Sequence, residues 1–381
     1  MSELNIVTRG ALLIRNGVIE DVGPARRVEN LAGARKAHVI DATGKVVMPA
    51  FVDADVALVT TPSIRDNGDR EERGEAAALR LMSRKVALSR AAAMSAEHAR
   101  YGSVTVGAQT RCATDLKNIA KILRTHQALQ MKPLRIRSIF SPEFPPGATR
   151  SPAQLLDALL TKWLPSVKAR KLASVVEFTV GGNASRLDHA MIRIAAVAAA
   201  GMGYAIRLRS ELRPEPGDLQ LALSAGAIAI VSPMDSLRAF AGPLSAIGCV
   251  RVIPASESFD DAVHAAGAIR KALDEGVAVA FASSYRTRAS SSLNMQHLLH
   301  LAVHRLGLTE EEAITATTWN PACSLRLSHV TGSLEPGKSA DVVMMDVPDY
   351  RELARRAGHH DVSLVMRAGQ VIAGIGALSV D

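Results

Sequence analysis

Short apolar runs alternate with longer amphipathic stretches through the middle of the chain. The runs are rich in β-branched residues, and the stretches between them have helical spacing of their apolar positions, which is typical of β-α units around a parallel sheet. Two of the predicted helices, over residues 75–102 and 259–276, stop at a glycine. The pattern predicts eight strands, at residues 46–55, 103–110, 134–140, 173–180, 204–210, 227–232, 250–256 and 277–284.

Eight consecutive β-α units within about 260 residues match the size of a (β/α)8 TIM barrel. A doubly wound open sheet is the alternative fold. No glycine-rich dinucleotide fingerprint follows any of the predicted strands, which favours the barrel.

The two ends of the chain do not fit this barrel pattern. Residues 11–23 predict two strands around an Asn-Gly turn, and residues 337–347 and 362–374 predict further strands with a glycine turn. Neither end has enough strands to bury a face alone, so we expect both to pair into one small composite β-sandwich. The predicted domains are residues 1–48 for the first half of the sandwich, 49–330 for the barrel and 331–381 for the second half.

Composition narrows the class of protein. Hydrophobic residues make up 48% of the 381 and aromatic residues 3%, so the core must consist of Ala, Val, Leu and Ile. No apolar run approaches a membrane span, and the N-terminus lacks the apolar core of a signal peptide. The three cysteines, Cys112, Cys249 and Cys323, form no CxxC motif, so we expect a cytoplasmic protein with no membrane partner.

The formal net charge of +8 raises the question of nucleic acid. The basic residues are spread along the whole chain, and the denser patches carry no stacking aromatics and no binding motif. We therefore interpret the charge as a solvated surface and expect no nucleic-acid partner.

Four phrases together resemble the amidohydrolase superfamily, and imidazolonepropionase within it. The resemblance runs over essentially the whole chain, and the long C-terminal phrase is the most specific part. The phrases are MPAFVDA (48–54), GLTEEEAITATTWNPACSLRL (307–327), GSLEPGKSADVVMMDVPDYRELARRAGH (332–359) and VMRAGQVI (365–372).

The resemblance implies hydrolysis of cyclic amides and related C–N bonds with a divalent metal ion that activates water. The family's metal ligands are an H-x-H pair after strand 1, a His after strand 5, a His after strand 6 and an Asp after strand 8. Carried over position by position, these sites hold Asp55 and Ala57, Arg209, Ser232 and Ser284, and a lysine-type position late in strand 2 holds Gln109. None of the eleven histidines is predicted at the carboxyl end of a barrel strand. The sequence therefore predicts a chain without a metal or other cofactor.

The charged residues at the strand ends suggest what replaces the metal. Residues two apart on a strand share a face, so Asp53 and Asp55 are predicted to point the same way, as are Arg207 and Arg209. We expect Asp55 and Arg209 to meet in the barrel mouth, with Glu177 placed to pair with Arg207. A structural ion network and a functional role both explain these charges.

The loop after strand 8 is polar and cationic. Ser283, Ser284, Tyr285 and Arg286, with Arg288, are candidates to hold a carboxylate or phosphate ligand, together with Gln109 and Ser232 at other strand ends. An ordinary solvated loop is the alternative. No Ser–His–acid arrangement is expected, because no histidine is predicted at the mouth to activate a serine.

Two other groups carry weaker signals. His297, His300 and His304 have helical spacing after strand 8, and a zinc site or ordinary helix histidines would both explain them. Cys112 follows strand 2 at the mouth with no histidine nearby in sequence, which favours a buried thiol.

Two functional hypotheses remain open. The first is a metal-free family member that lacks the usual hydrolase activity and serves as a ligand-binding or assembly subunit. Its partners would be a small molecule, with an anion as one option, and a second copy or an active relative. The alternative is a hydrolase of a small cyclic amide, with Asp53 or Asp55 as general base and Arg209 as oxyanion stabiliser.

Overall fold

The computed structural model describes residues 3–60, 69–111, 113–144, 150–181, 186–210, 216–233, 248–255, 262–285 and 292–374. Fourteen strands are formed by these residues. They are β1 (Gly10–Arg15), β2 (Val18–Pro24), β3 (Val46–Pro49), β4 (Phe51–Val56), β5 (Ser103–Gln109), β6 (Arg135–Phe140), β7 (Val175–Val180), β8 (Ala205–Ser210), β9 (Ala229–Val231), β10 (Val250–Pro254), β11 (Val279–Ala282), β12 (Val342–Met345), β13 (Val362–Arg367) and β14 (Gln370–Gly374).

Helices fill most of the connections between the strands. They are α1 (Ala25–Val28), α2 (Asp69–Leu81), α3 (Arg84–Arg100), α4 (Leu116–Leu129), α5 (Pro152–Ala158), α6 (Leu164–Ala169), α7 (His189–Gly201), α8 (Pro216–Ser224), α9 (Ala262–Asp274), α10 (Met295–Leu306), α11 (Glu310–Thr317) and α12 (Trp319–Ser324). A π turn at Leu159–Trp163 joins α5 to α6, and 3-10 turns lie at Ala34–Lys36 and Tyr350–Ala354.

The strands β4 to β11 form one parallel sheet whose spatial order is the order of the chain. Its two edge strands come together, because the Ala57 N–H lies 3.5 Å from the carbonyl oxygen of Tyr285, beyond β11. The predicted (β/α)8 barrel is confirmed. Since all strands run the same way, their carboxyl ends gather at one mouth, where barrels of this kind hold their functional side chains.

The two ends of the chain build the rest of the β structure. β1 and β2 form a hairpin whose turn residues Asn16 and Gly17 both have positive φ, as an Asn-Gly turn requires. A separate four-stranded sheet has the order β14-β13-β12-β3. The hairpin joins it through the Ile19 N–H, which donates to the carbonyl oxygen of Lys338 at 2.8 Å.

The predicted first strand, residues 46–55, is wrong as a single element. Residues 46–49 form β3 and pair with β12 in the small sheet, whereas residues 51–56 form β4 and pair with β5 in the barrel. Ala50 is the link between the two, and its N–H donates to the carbonyl oxygen of Asp341 at 3.1 Å. A continuous apolar run thus serves two sheets, which its periodicity does not reveal.

The predicted helix over residues 75–102 is also two elements. α2 ends at Leu81 and α3 begins at Arg84, and the side chain of Ser83 accepts a hydrogen bond from the Val86 N–H at 3.3 Å. Serine favours such an N-cap position because its hydroxyl satisfies a free N–H of the first turn. The helical periodicity continues across the break, so the pattern alone predicts one helix.

Two histidines are buried where α3 and α4 pack together. His98 and His126 are 0% and 1% exposed, and their ring nitrogens have no hydrogen-bond partner among the described residues. Burial lowers the pKa of His98 from 6.5 to about 4 and that of His126 from 6.5 to about 3. The folded chain therefore keeps both rings neutral well below the pH at which the unfolded chain protonates them.

Acidification from pH 7 to pH 5 is expected to lower the free energy of unfolding by about 2 kcal/mol per buried histidine. Both pKa values are lower in the folded state, so the unfolded chain binds more protons as the pH falls below 6.5. Urea unfolding of the wild type and of a His98→Leu/His126→Leu variant at several pH values measures the effect. His304→Leu, at an exposed position, is the control. An unchanged pH dependence in the double variant would contradict the prediction.

Candidate functional site

Asp55 lies at the centre of the barrel mouth, at the carboxyl end of β4. Its Oδ1 is 2.5 Å from Nη2 of Arg209, and its Oδ2 accepts a hydrogen bond from Oγ of Ser284 at 2.6 Å. The predicted contact between Asp55 and Arg209 is confirmed. Three of the positions to which the resemblance assigned metal ligands therefore converge, but they bind each other.

Ser284 reaches Asp55 from a backbone conformation that is rare for serine. Its φ is +45°, in the left-handed region, which costs a non-glycine residue on the order of 1 kcal/mol. The hydrogen bond to the buried carboxylate of Asp55 helps to offset that cost. This backbone twist brings the Ser284 hydroxyl into the mouth.

Glu177 joins the two arginines of β8. Its Oε1 accepts a hydrogen bond from Nε of Arg209 at 2.8 Å, and its Oε2 lies 3.1 Å from Nη2 of Arg207. Arg207 also donates from Nη1 to the carbonyl oxygen of Ala54 at 2.9 Å, and its Nη2 is 3.8 Å from Oδ1 of Asp55. Two carboxylates and two guanidiniums thus alternate around a closed ring, called here the four-charge ring.

Because the four-charge ring is buried, its four charges interact strongly with one another. The side chains of Asp55, Glu177, Arg207 and Arg209 are 4%, 1%, 0% and 7% exposed. Charges removed from water interact strongly, and each is costly when left alone. The ring has no net formal charge, so its members hold one another in place.

Asp53 has different partners from Asp55, although the two residues lie two apart. The pairing of β4 with β5 has a register shift between Asp53 and Val56. Oδ1 of Asp53 accepts hydrogen bonds from the N–H groups of Asp55 at 3.3 Å and Ser283 at 3.1 Å. Its Oδ2 has no hydrogen-bond partner within the described part of the chain. Burial raises the pKa of Asp53 to about 7.

The other predicted ligand-binding residues line the same edge. Gln109 ends β5, is 3% exposed, and its Nε2 has no hydrogen-bond partner in the described ranges. Ser232 follows β9 and is buried, and Oγ of Ser283 accepts from the N–H of Tyr285 at 3.2 Å. Their roles in binding stay predictions. Arg286, Arg288 and Cys112 lie outside the described residues.

A histidine that the sequence analysis missed lies at the carboxyl edge. Nε2 of His189, the first residue of α7, is 2.6 Å from Oδ1 of the buried Asp218. Together with Val180 and Gly181 at the end of β7, His189 lines a cavity of about 170 Å³. His189 belongs to α7 and not to a strand end, so the expectation of no histidine at the carboxyl end of a barrel strand does not cover it. The signal available was its position directly after the β7 loop, where a helix begins at the mouth.

The three regularly spaced histidines lie on α10. His300 Nδ1 is 2.5 Å from the carbonyl oxygen of Ala354, and the His300 and His304 rings are 4.6 Å apart. No cluster of three or more His, Cys, Asp or Glu side chains suited to a metal ion occurs among the residues that the structure describes. The contact with Ala354 favours the interpretation as ordinary helix histidines.

Comparison with known proteins decides the family. The model of the amidohydrolase family matches residues 252–372. An imidazolonepropionase from Solibacter usitatus is 30% identical over 396 residues, which cover 98% of this chain and 93% of that protein. The chain belongs to the amidohydrolase family. Within that family it is imidazolonepropionase-like, since an imidazolonepropionase from Brevibacillus brevis is also 28% identical over 404 residues, covering 100% of this chain and 93% of the relative.

Solved structures of amidohydrolases share the fold. A 5-methylcytosine deaminase from Klebsiella pneumoniae superposes with a TM-score of 0.73 at 16% identity, covering 97% of this chain and 95% of that one. N-isopropylammelide isopropylaminohydrolase from Burkholderia multivorans gives 0.71 at 18% identity, covering 95% and 94%. At these identities the likeness concerns the fold alone. None of the helices among the described residues has the length and apolar character needed to cross a membrane.

The residues that the structure describes at the mouth of this amidohydrolase do not fit a divalent metal ion. Both oxygens of Asp55 are already engaged, one by Arg209 and one by Ser284. Two permanently charged guanidiniums within 4 Å of Asp55 would repel a cation, and guanidinium has no lone pair to donate. The chemistry of the donor set therefore disagrees with the metal that the family implies.

Proposed function

We propose that this protein is a metal-free amidohydrolase that lacks the usual metal-dependent hydrolysis and binds a small molecule at the barrel mouth. One observation carries the proposal: Asp55 and Arg209 of the four-charge ring stand at positions to which the resemblance assigns metal ligands, and they bind each other. A permanent positive charge on Arg209 takes over the neutralising role of the cation toward Asp55. The usual reaction needs a metal-bound water as nucleophile, and this donor set offers the metal no place.

Binding of a small polar molecule is supported by two buried polar atoms on the neighbouring strands β4 and β5. Nε2 of Gln109 and Oδ2 of Asp53 have no hydrogen-bond partner in the part of the chain described. A buried polar atom without a partner costs about 1–3 kcal/mol, which a ligand that bonds to it would recover. An amide or carboxylate group offers the acceptor that Gln109 needs. The relatives are named imidazolonepropionases, so imidazolonepropionate is the first ligand to test.

Purified protein is expected to contain far less than one equivalent of zinc or iron per chain, even after expression in metal-supplemented medium. The two guanidiniums of the four-charge ring repel a cation, so a supply of metal in the medium should not lead to metal binding at the mouth. Elemental analysis by mass spectrometry measures the content, with the imidazolonepropionase of Brevibacillus brevis purified in parallel as a control. About one equivalent of zinc or iron, retained after dialysis against a chelator, would overturn the proposal.

The alternative function is metal-independent hydrolysis of a C–N bond in a small cyclic amide. The pKa of Asp53, raised to about 7 by burial, lies in the range that suits a general base. Asp55 is a poorer candidate base, because both of its oxygens are engaged. Chelator-resistant turnover of imidazolonepropionate that Asp53→Asn abolishes would favour this alternative over the binding function.

Location and partners are proposed from the sequence. A cytoplasmic location is supported by three scattered cysteines without a CxxC motif. Assembly with itself or with an active relative is proposed because a chain without the usual hydrolysis can still serve as a subunit of a complex. Nucleic acid and membranes are not proposed as partners.

A further inference from the structure

Three arginines gather at the amino-terminal end of the barrel, on the side opposite the mouth. Arg135 and Arg137 lie two apart at the start of β6 and therefore share a face. Arg367 ends β13 of the small sheet, which packs against β5. The three residues, called here the arginine joint, lie where the small sheet meets the barrel.

Asp341 is the carboxylate that pairs with the arginine joint, and both of its oxygens accept hydrogen bonds. Oδ2 lies 3.0 Å from Nη2 of Arg135, and Oδ1 accepts hydrogen bonds from Oγ of Ser339 at 2.7 Å and the Ala368 N–H at 2.9 Å. Asp341 pairs directly with Arg135, and its charge also acts on Arg367. Arg137 instead donates from Nη1 to Oγ of Ser174 at 2.9 Å, a bond that supplies no negative charge. Among the described residues with contacts to the joint, two positive charges remain uncompensated.

Several donors of the arginine joint are buried and have no hydrogen-bond partner among the described residues. They are Nε of Arg135, Nε of Arg137, and Nε and Nη1 of Arg367. Arg367 is 7% exposed. Thr105 lies opposite Arg135 in the pairing of β5 with β6. Its hydroxyl is buried and has no hydrogen-bond partner among the described residues.

The electrostatics at the joint are unfavourable as they stand. Burial lowers the pKa of Arg367, the charge of Asp341 partly opposes this effect, and the charge of Arg135 adds to it. Burial also lowers the pKa of Arg137, again with a contribution from the charge of Arg135. Buried charges normally have a counter-charge and satisfied hydrogen bonds. The joint has more positive charge than counter-charge, and more hydrogen-bond donors than acceptors that bind them.

We propose that the arginine joint binds a doubly charged oxyanion, a phosphate ion or a phosphoryl group. Two uncompensated positive charges favour an anion with more than one negative charge, and a phosphoryl group carries about −1.5 to −2 at neutral pH. Guanidinium groups bind such oxygens with charge-assisted hydrogen bonds. The anion would bridge β6 of the barrel and β13 of the small sheet.

This site is separate from the barrel mouth and does not depend on the proposed function. Thr105 lies near the start of β5 and Gln109 at its end, so the two sites lie at opposite ends of the same strand. Binding at the joint would tie the small sheet to the barrel. Phosphate should therefore raise the unfolding temperature of the protein.

Calorimetric titration of the full-length protein with inorganic phosphate tests the proposal, against chloride at equal ionic strength. We expect one site per chain with a dissociation constant in the millimolar range or tighter, and at least about tenfold weaker binding in Arg367→Met. Glycerol phosphate in a second arm distinguishes a free ion from a phosphoryl group on a larger molecule. Tighter binding of either compound supports the site.

Two further variants keep the test decisive. Thr105→Val removes only the hydroxyl and should weaken binding even if Arg367→Met fails to fold. Arg351→Met is the matched control, because Arg351 is exposed and paired with Asp349, and its phosphate affinity should equal that of the wild type. Absence of a phosphate-specific signal, or wild-type affinity in both site variants, would overturn the proposal.

Discussion

Replacement of Arg209 by methionine is expected to lower the free energy of unfolding by about 3–5 kcal/mol, the usual cost of breaking a buried ion pair from one side. Arg209 contacts both carboxylates of the four-charge ring, at 2.5 Å from Asp55 and 2.8 Å from Glu177. Its loss leaves two buried negative charges facing Arg207 alone. Arg207 is 3.8 Å from Asp55, too far to replace the lost hydrogen bond.

The same replacement should cost less when Asp55 is already neutral. In an Asp55→Asn background the remaining charges are Glu177 and Arg207, which lie 3.1 Å apart and balance each other. The double-mutant cycle should therefore yield a coupling energy on the order of 1–3 kcal/mol. Urea unfolding of the wild type, the two single variants and the double variant at pH 7 measures it.

An exposed pair gives the matched control for this cycle. Arg351 and Asp349 form an ion pair with side chains 57% and 36% exposed. Arg351→Met should change the free energy of unfolding by less than about 1 kcal/mol, because solvent screens the pair. If Arg209→Met were equally destabilising with Asp55 and with Asn at position 55, the two residues would not be coupled.

Removal of residues 331–381 is expected to leave no cooperatively folded protein. β12 lies between β3 and β13 in the small sheet, so the deletion takes away the neighbour of β3. Val343 and Val365 belong to one buried cluster with Leu298 and Leu299 of α10, so the deletion also exposes the barrel's outer helices. Burial of apolar area is the main source of stability, and this loss exceeds the margin of a typical domain.

A pair of point variants separates this effect from general truncation damage. Val365 on β13 is 0% exposed, whereas Val371 on β14 is 45% exposed. Val365→Ser should lower the unfolding temperature of the whole chain by several degrees, and Val371→Ser should leave it nearly unchanged. A soluble protein of residues 46–330 that unfolds cooperatively with unchanged stability would show that the small sheet is dispensable.

The connection between the small sheet and the barrel explains why the truncation should destabilise the whole molecule. The apolar run from Val46 to Val56 crosses from one sheet to the other at Ala50. The small sheet and the barrel therefore share a covalent link as well as a core cluster. The arginine joint, if it holds an anion, adds a third connection between them.

The barrel and the Asn16-Gly17 hairpin could be predicted from the sequence. These features depend on local information, since strand periodicity, turn chemistry and residue identity at strand ends can be read along the chain. The contact between Asp55 and Arg209 was also predictable. Parallel strands bring their carboxyl ends together, so two residues at those ends converge even when they are 154 positions apart.

The tertiary structure alone decided which atoms meet at the mouth. The register of β7 against β8 lets Glu177 bridge both Arg207 and Arg209, and the left-handed backbone at Ser284 brings its hydroxyl to Asp55. Asp53 accepts from backbone N–H groups, whereas Asp55 binds the side chains of Arg209 and Ser284. Register shifts and backbone twists follow from packing between distant segments. A one-residue shift redirects a side chain without changing the local hydrophobic pattern that the sequence displays.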